Sequence, residues 1–582
     1  MILCLCSSIR HEMLSQADRT EWAEDRLDYS PVSDAPPAAA GPGALPLRLI
    51  LVTLACLAGI SLWIYRAALP GPFISDDQLY IAVNPFVRAP GLASLWAFLN
   101  PTGPGRLYSG GNYSPIHMAA HMLEWSLLGD ATAGYHVVNV LLHALNSTLL
   151  AVLLAASGVP APAALLASAV FALHPANVEA VAWISQLKSV LALAFSFGAL
   201  IAFRRHPRAS SPLFALALLT KATAVFVLPM AAALALVWRR SGRATSRHVQ
   251  GLALWTLVLA LYALPQLAAF DVLGRAYAVP YPDRWSHLLS IAAIGARYLA
   301  LAASGYGASA YHEPDPIRSI LDPWALAGIA AALVLVWRIV SSLRAGREEA
   351  AWWIGAAAAF APVSQLFPFY FAMADRYLYF ILPGLIGGGL LWGLELWPRI
   401  PRQRAGAALA AGCALAIAFA FQAERRSRLY QDELRLVRDG AAHYPNGGGA
   451  HYFRAAIYAR KGNREAAVTS LRLAVDRGYH VMRSFQSDPY LAPLRGDPAF
   501  EALLQDIYGR LIEYARERGF SSQEQMLGVA RAHWLRGEMD EAIEVLEEAI
   551  RRGDEMDSVL INDLDMFRME RAARLRTAGG KR

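Results

Sequence analysis

Apolar and polar stretches alternate along the first 422 residues in a pattern typical of membrane helices. A run near 47–69 comes first, and 134–422 continues with apolar stretches of about 17–24 residues between short polar loops. A helix needs about twenty apolar residues to cross the hydrocarbon core. The pattern predicts spans near 47–69, 134–157, 162–176, 187–203, 249–269, 323–341, 351–370, 377–397 and 404–422.

The apolar segment 212–238 does not fit a single crossing. Arginines flank it on both sides, and arginine-rich short loops stay cytoplasmic. The polar sequence TKAT at 220–223 leaves arms of about ten and fifteen residues, and the shorter arm reaches about 15 Å, half of the hydrocarbon thickness. We therefore predict a broken hairpin with Lys221 near its tip, and about eleven membrane helices in total.

Loop charges also predict the orientation. Loop 70–133 contains only Arg88 and Arg106 as strongly basic residues and is expected to be external. Segment 286–303 is expected to lie on the outer side without crossing; a full crossing combined with one long 212–238 helix satisfies the same end points. In either case the tail after residue 423 is external.

Composition agrees with this division. The 582 residues are 56% hydrophobic and 17% charged, with a mean hydropathy of +0.32, as in a multi-pass membrane protein. The net charge of +7 arises largely from loop arginines, which argues against a nucleic-acid partner. The four cysteines form no disulfide or metal pattern. We predict a disordered cytoplasmic segment 1–45, a membrane domain 46–423 and a soluble domain 424–582.

The tail contains two similar segments. In 451–478 and 526–553, small and aromatic residues recur at helical spacing around Gly462 and Gly537. Both segments are typical of tetratricopeptide repeats, whose stacked helix pairs form concave surfaces for proteins or peptides. A helical tail that only increases solubility is the alternative.

Several motifs appear in a characteristic order. They are the acidic pair in PFISDDQLYIAVNP, then YSPIHMAAHMLEWSLLGD, FALHPANVEAVAWISQLKSVLA, LLTKATAVFVLP and ADRYLYFILPGL. Together with the repeats, they resemble the transmembrane and tetratricopeptide-repeat O-mannosyltransferases and their bacterial relatives, of the class C glycosyltransferase superfamily. Three positions depart from the family pattern: Ser114 stands where the family has Arg, Ala222 stands where it has Glu, and the family's second His near Asn177 is missing.

The resemblance implies an all-α enzyme with a class C membrane bundle and a repeat domain. It implies inverting transfer of a hexose, such as mannose, from a polyprenyl-phosphate carrier to a protein hydroxyl or another acceptor. The expected location is a bacterial inner membrane, with the active site and tail on the periplasmic side. A non-catalytic membrane scaffold that binds partners through its repeats is the alternative, supported mainly by the departures at Ser114 and Ala222.

The acidic pair is the expected catalytic centre. Class C enzymes resemble one another in placing an acidic residue first in such a pair, which implies that Asp76 is the general base. Adjacent helical residues point about 100° apart, so Asp77 would orient the loop or bind a divalent metal such as Mg²⁺ or Mn²⁺. The alternative is a pair that caps a helix.

The leaving phosphate requires cations, for which Lys221, Lys188 and Arg376 are the candidates. Lys221 could instead form a structural ion pair, and the other two could be interfacial anchors. His174, Glu179 and Tyr113 are candidates for orienting the acceptor or the sugar. His174 could equally satisfy a loop carbonyl, and Tyr113 could anchor the membrane interface.

Overall fold

The computed structural model describes residues 43–110, 112–269, 281–366, 371–397, 405–479, 485–486, 488–520, 523–552 and 557–579. Most of the predicted disordered segment 1–45 lies outside these ranges. Within them the chain is helical, and the β-type pairing is one isolated bridge between His312 and Met373. The all-α prediction is confirmed.

The membrane part contains sixteen α-helices in its described residues. In chain order these are α1 Leu47–Tyr65, α2 Pro85–Arg88, α3 Leu92–Leu99, α4 Pro115–Leu128, α5 Thr132–Ala156, α6 Ala161–Leu173, α7 Asn177–Ala182, α8 Leu187–Arg205, α9 Ser211–Thr220, α10 Val227–Arg240, α11 Ser246–Ala269, α12 Arg284–Ser304, α13 Pro323–Arg344, α14 Glu349–Phe360, α15 Asp375–Leu396 and α16 Ala405–Ser427. Short turns complete them: a π-helical turn Gln78–Ala82 and 3₁₀ turns Pro104–Tyr108, Ile184–Gln186, Ala222–Phe226 and Ala361–Val363.

Nine helical segments in the described part of the chain are long and apolar enough to cross a membrane, and α6 and α9 are shorter apolar helices. The protein is therefore a multi-pass membrane protein, close to the expected eleven membrane helices. The largest difference in length concerns the predicted span 351–370, where α14 ends at Phe360.

The predicted hairpin is present in α9 and α10. The Trp238 and Trp255 rings lie 6.3 and 5.3 Å from the Phe203 ring near the end of α8. Trp255 also donates to the hydroxyl of Ser210, just before α9. Both ends of the hairpin therefore meet at one end of α8, and its tip reaches the other end.

Helix α12 contacts one connection of the bundle through residues near both of its ends, and it is long and apolar enough to cross a membrane. His287 bonds the Gln365 carbonyl at 2.6 Å, and the Tyr298 hydroxyl donates to the Ala374 carbonyl at 3.0 Å. These two α12 residues are about 16 Å apart along the helix, yet both contact the connection between α14 and α15. The non-crossing placement of this segment stays a prediction.

Burial separates central from peripheral helices. In the most apolar stretches of α5 and α8, 61% of residues are buried, against 17% in α1, α11, α13 and α16. Large side chains of α11 such as Leu257, Leu261 and Leu264 point out of the protein. These exposed apolar faces are suited to contact with lipid. The helices α5 and α8 form the buried centre of the bundle, where polar side chains are shielded from lipid.

The tail is also helical. Its helices are α17 Glu433–His443, α18 Gly448–Arg460, α19 Arg464–Asp476, α20 Pro498–Arg518, α21 Gln523–Arg536, α22 Met539–Arg551 and α23 Asp557–Gly579, with 3₁₀ turns Arg428–Gln431 and Pro489–Leu494. Gly462 and Gly537 join two helix pairs with φ of +78° and +81°, a left-handed conformation that favours glycine. These pairs are compatible with tetratricopeptide repeats, which remain a prediction.

Candidate active site

Asp77 anchors the loop that follows α1. Its carboxyl group accepts hydrogen bonds from the Ile74 amide at 2.9 Å and the Ser185 amide at 2.7 Å, and it contacts the Ser185 hydroxyl. Burial raises the pKa of Asp77 to about 7, although these hydrogen bonds favour ionisation. The neighbouring Ser75 has a left-handed φ of +48°, which indicates local constraint. Asp77 thus fixes this loop against the turn before α8.

The Asp76 side chain, unlike that of Asp77, is partly exposed and lies near Lys188. Its side chain is 44% exposed, and its Oδ2 lies 3.9 Å from the Lys188 ammonium. The two adjacent carboxyl groups therefore have different surroundings. Of the pair, Asp76 is the one that a ligand can reach.

The two candidate lysines meet at the start of α8. The Lys188 ammonium lies 3.1 Å from the Tyr80 hydroxyl and 4.5 Å from that ring's centre. The Lys221 ammonium, at the hairpin tip, donates to the Ser189 hydroxyl at 2.8 Å and lies 5.3 Å from the Phe380 ring. No carboxylate lies within ion-pair distance of Lys221 among the residues that the structure describes. The structural ion-pair alternative for Lys221 thus has no partner in this part of the chain.

Arg376 and Glu179 form a buried pair. The Arg376 guanidinium contacts one Glu179 oxygen, and the Arg376 amide donates to the other at 2.7 Å. The guanidinium also lies 5.4 Å from the Trp183 ring and 4.6 Å from the Phe371 ring. Glu179 therefore holds Arg376 in place, and its carboxylate is already engaged.

Tyr113 and His174 make contacts outside this group. The Tyr113 hydroxyl donates to the Leu99 carbonyl at 2.8 Å, and its amide donates to the Gln266 side chain. His174 bonds the Ala302 carbonyl at 3.1 Å through one ring nitrogen and the Ala176 amide through the other. Their contacts join loops to neighbouring helices, and both keep their orienting roles only as predictions.

The surroundings of Asp77 do not fit a divalent metal. Both of its oxygens are engaged by protein donors. In the described ranges, no group of three or more His, Cys, Asp or Glu residues could hold an ion. Mg²⁺ and Mn²⁺ favour several oxygen ligands, and the engaged carboxyl group of Asp77 does not supply such a set.

Two side chains that were not among the sequence-predicted site residues, His117 and Tyr80, also lie at this site. The His117 ring packs edge-on against Tyr80 at 5.3 Å, and its buried Nε2 has no hydrogen-bond partner in the described part of the protein. Burial, with the charges of His121 and Lys188, holds the pKa of His117 well below its usual range. The sequence carries no signal that singles out His117 from the other histidines on apolar helices.

Of the three departures from the family pattern, Ala222 adjoins a residue of this site. Asn177 donates to the Phe171 carbonyl at 2.6 Å and fixes the end of α6. Ala222 begins the turn directly after Lys221, and Ser114 is buried just before α4.

A separate cleft of about 730 Å³ lies between the membrane part and the tail. One wall comes from Arg297 and the segment 313–322, and the other from residues 443–447 and Arg477. The Arg477 side chain lies 3.1 Å from Asp315 across this cleft. Charged groups of both signs thus face it.

Comparison with known proteins supports the resemblance. No protein-family model matches the chain. It is 33% identical over 181 residues to "Protein O-mannosyl-transferase TMTC1" of Mus musculus, covering 28% of this chain and 19% of the relative. It is 29% identical over 204 residues to "Protein O-mannosyl-transferase F38B6.6" of Caenorhabditis elegans, covering 33% and 29%. These matches span well under two thirds of the relatives. Within the matched part, the chain is related to the protein O-mannosyltransferases.

Proposed function

We propose that the protein is an inverting membrane glycosyltransferase that moves a hexose, such as mannose, from a polyprenyl-phosphate donor to a hydroxyl of a protein or peptide. The observation that carries this proposal is the partly buried pair of lysines beside one accessible carboxylate. The relatives' names support the reaction class. We further propose that this end of the bundle and the tail face the external side, which in a bacterium is the periplasm.

The donor phosphate would lie between the Lys188 and Lys221 ammonium groups. A partly buried ammonium that contacts only a hydroxyl and a ring is poorly compensated, so an anion would stabilise it. Arg376 would add positive charge from its fixed place beside Glu179. His117, next to Tyr80, would complete the wall of this site.

The transfer step needs one base. The acceptor oxygen bonds to the anomeric carbon while the bond from that carbon to the phosphate oxygen breaks. The proton passes to Asp76, and the polyprenyl phosphate leaves as the anion held by the lysines. An arriving donor would draw Lys188 away from Asp76, 3.9 Å distant, and leave that carboxylate available for the acceptor. General-base catalysis contributes about 10²–10⁴-fold.

The test is transfer of labelled mannose from polyprenyl-phosphate mannose to a serine- and threonine-containing peptide by the purified protein in lipid. Asp76→Asn should lower the turnover by about 10²-fold or more with nearly unchanged donor affinity, because it keeps the shape and removes the base. Asp130→Asn is the matched control, since Asp130 is an exposed carboxylate before α5.

Full activity of Asp76→Asn would exclude Asp76 as the base. A parental protein that binds no polyprenyl phosphate and transfers no sugar would favour the scaffold function.

A further inference from the structure

A chain of buried polar contacts runs from the tail to the residue next to Arg376. The Tyr444 hydroxyl, in the loop between α17 and α18, lies 2.9 Å from His312 Nδ1. The other ring nitrogen of His312 lies 2.7 Å from the Asp375 carboxylate. Asp375 is fully buried at the first position of α15, directly before Arg376.

The segment that contains His312 is held on both sides of this contact, by the end of α16 on one side and by the tail on the other. The Arg426 guanidinium donates to the Ala308 carbonyl at 2.6 Å and lies 3.5 Å from Asp375. The Glu313 carboxylate accepts from the Gly449 amide at 3.1 Å, at the start of α18. A Cβ at Gly447 would collide with the Glu313 carboxylate, so a side chain there would force Glu313 to move.

We propose that the docked tail positions Arg376 for the donor phosphate through the contacts Tyr444–His312–Asp375. This inference rests on the donor site proposed above and extends it to the tail. Tyr444 and His312 are positioning residues in this view, since neither contacts the proposed ligand. Tyr444 also lines the cleft between the membrane part and the tail, so a peptide held there would contact this chain of residues directly.

The physical reason lies in the burial of Asp375. When the Tyr444 hydroxyl donates to His312 Nδ1, the proton of the neutral ring sits on Nε2, which donates to Asp375; without that hydroxyl the ring can take the other tautomer, and this hydrogen bond weakens. A buried carboxylate whose hydrogen bond weakens is destabilised, and the backbone that carries it shifts. Because Asp375 and Arg376 share the first turn of α15, such a shift would move the guanidinium relative to Glu179. The effect would be local and need not unfold the tail.

The experiment compares two tyrosine hydroxyl deletions in the full-length protein. Tyr444→Phe removes the contact with His312. Tyr452→Phe removes a buried tail hydrogen bond to Asp488 of 2.8 Å and serves as the matched control. We expect Tyr444→Phe alone to increase amide hydrogen exchange in residues 375–380. It should also weaken binding of polyprenyl phosphate about fivefold to tenfold, as expected for one lost hydrogen bond.

A second measurement separates positioning from general loosening. In an Arg376→Gln background, Tyr444→Phe should cause no further loss of polyprenyl-phosphate affinity, because both changes act through the same guanidinium. Additive losses would overturn the inference, as would equal effects of the two tyrosine variants or unchanged exchange in residues 375–380. If the parental protein bound no polyprenyl phosphate, the proposed function would fail, while the exchange result would still decide whether Tyr444 holds α15.

Discussion

The two ends of α8 differ in how buried charge is compensated. At the far end, Glu348 contacts Arg204 at 2.6 Å and the Trp238 nitrogen at 2.7 Å. Nearby, Arg338 contacts both Glu349 and Glu395. At the site end, about 24 Å away along the helix, Lys221 contacts the Ser189 hydroxyl and an aromatic ring.

This difference separates structural from functional charge. At the far end of α8, each buried charge has an oppositely charged partner within the protein. These ion pairs need no ligand, and their role is to hold the folded helices together. Where a partly buried cation such as Lys221 has no carboxylate within ion-pair distance among the described residues, its charge is incompletely compensated and an anionic ligand would stabilise it. The same comparison applies to acids, because Asp77 at the site end has neutral donors and Glu348 at the far end has arginines.

The largest expected effect concerns the far end. Glu349→Ala removes the main partner of the buried Arg338 and should lower the free energy of unfolding by about 3–5 kcal/mol. Donor affinity of the folded fraction should not change. Thermal unfolding in lipid measures the effect, with the exposed Glu544→Ala as control. A loss below about 1 kcal/mol would show that this end is not a structural ion-pair network.

The next effect concerns Lys221. Lys221→Met removes an incompletely compensated cation, so the free energy of unfolding should stay equal or rise, while polyprenyl-phosphate affinity should fall about 30-fold or more. Lys461→Met, at an exposed tail position, is the matched control. A binding titration and a melting curve suffice. Strong destabilisation with unchanged donor affinity would mean that Lys221 is structural and would remove the contrast between the two ends.

A pH effect follows from Asp77. Its pKa is raised to about 7 in the folded protein from about 3.9 in the unfolded chain. The stabilising contribution of the protonated carboxyl is fully present below the unfolded pKa and is lost as pH rises through about 7. Between pH 5 and 6.5, stability should fall by about 1.4 kcal/mol per pH unit relative to Asp77→Asn. If stability instead rose with pH relative to that variant, the amide donors of Ile74 and Ser185 would outweigh burial.

The smallest effect concerns Arg243 at the far end. Its side chain is 47% exposed and lies 3.3 Å from Glu348, where Arg204 also binds. Arg243→Met should lower stability by less than about 1 kcal/mol, and Arg204→Met, at a 13% exposed position, should lower it more. Equal losses in melting experiments would show that burial does not determine the strength of these pairs.

Much of the architecture could be predicted from the sequence. Apolar stretches locate α1, α5, α8 and α11 because a helix must satisfy its own backbone in lipid. The flanking arginines and the polar TKAT sequence indicated the hairpin and placed Lys221 at its tip. The end of α14 at Phe360 could not be predicted from the sequence, because the length and hydropathy of an apolar stretch do not distinguish a membrane span from a shorter buried helix.

Only part of the candidate site could be predicted from the sequence. The motifs selected Asp76, Lys188, Lys221 and Arg376, and the fold brings them to one end of the bundle. Glu179 was selected too, but its pairing with Arg376 crosses 197 positions of sequence. His117 is buried on an apolar helix like the structural histidines, so its place beside Tyr80 had no sequence signal of its own.

The sequence by itself determined the membrane class, the helical content and the order of the two parts, because these follow from local hydropathy and helical periodicity. It also supplied the chemistry-bearing residue types. Only the tertiary structure decided which charges are neutralised: Arg338 has Glu349 and Glu395, Asp77 has Ser185, and Lys221 has a hydroxyl and a ring. The reason is that compensation depends on distances of a few ångströms between segments far apart in sequence, and helix packing sets those distances.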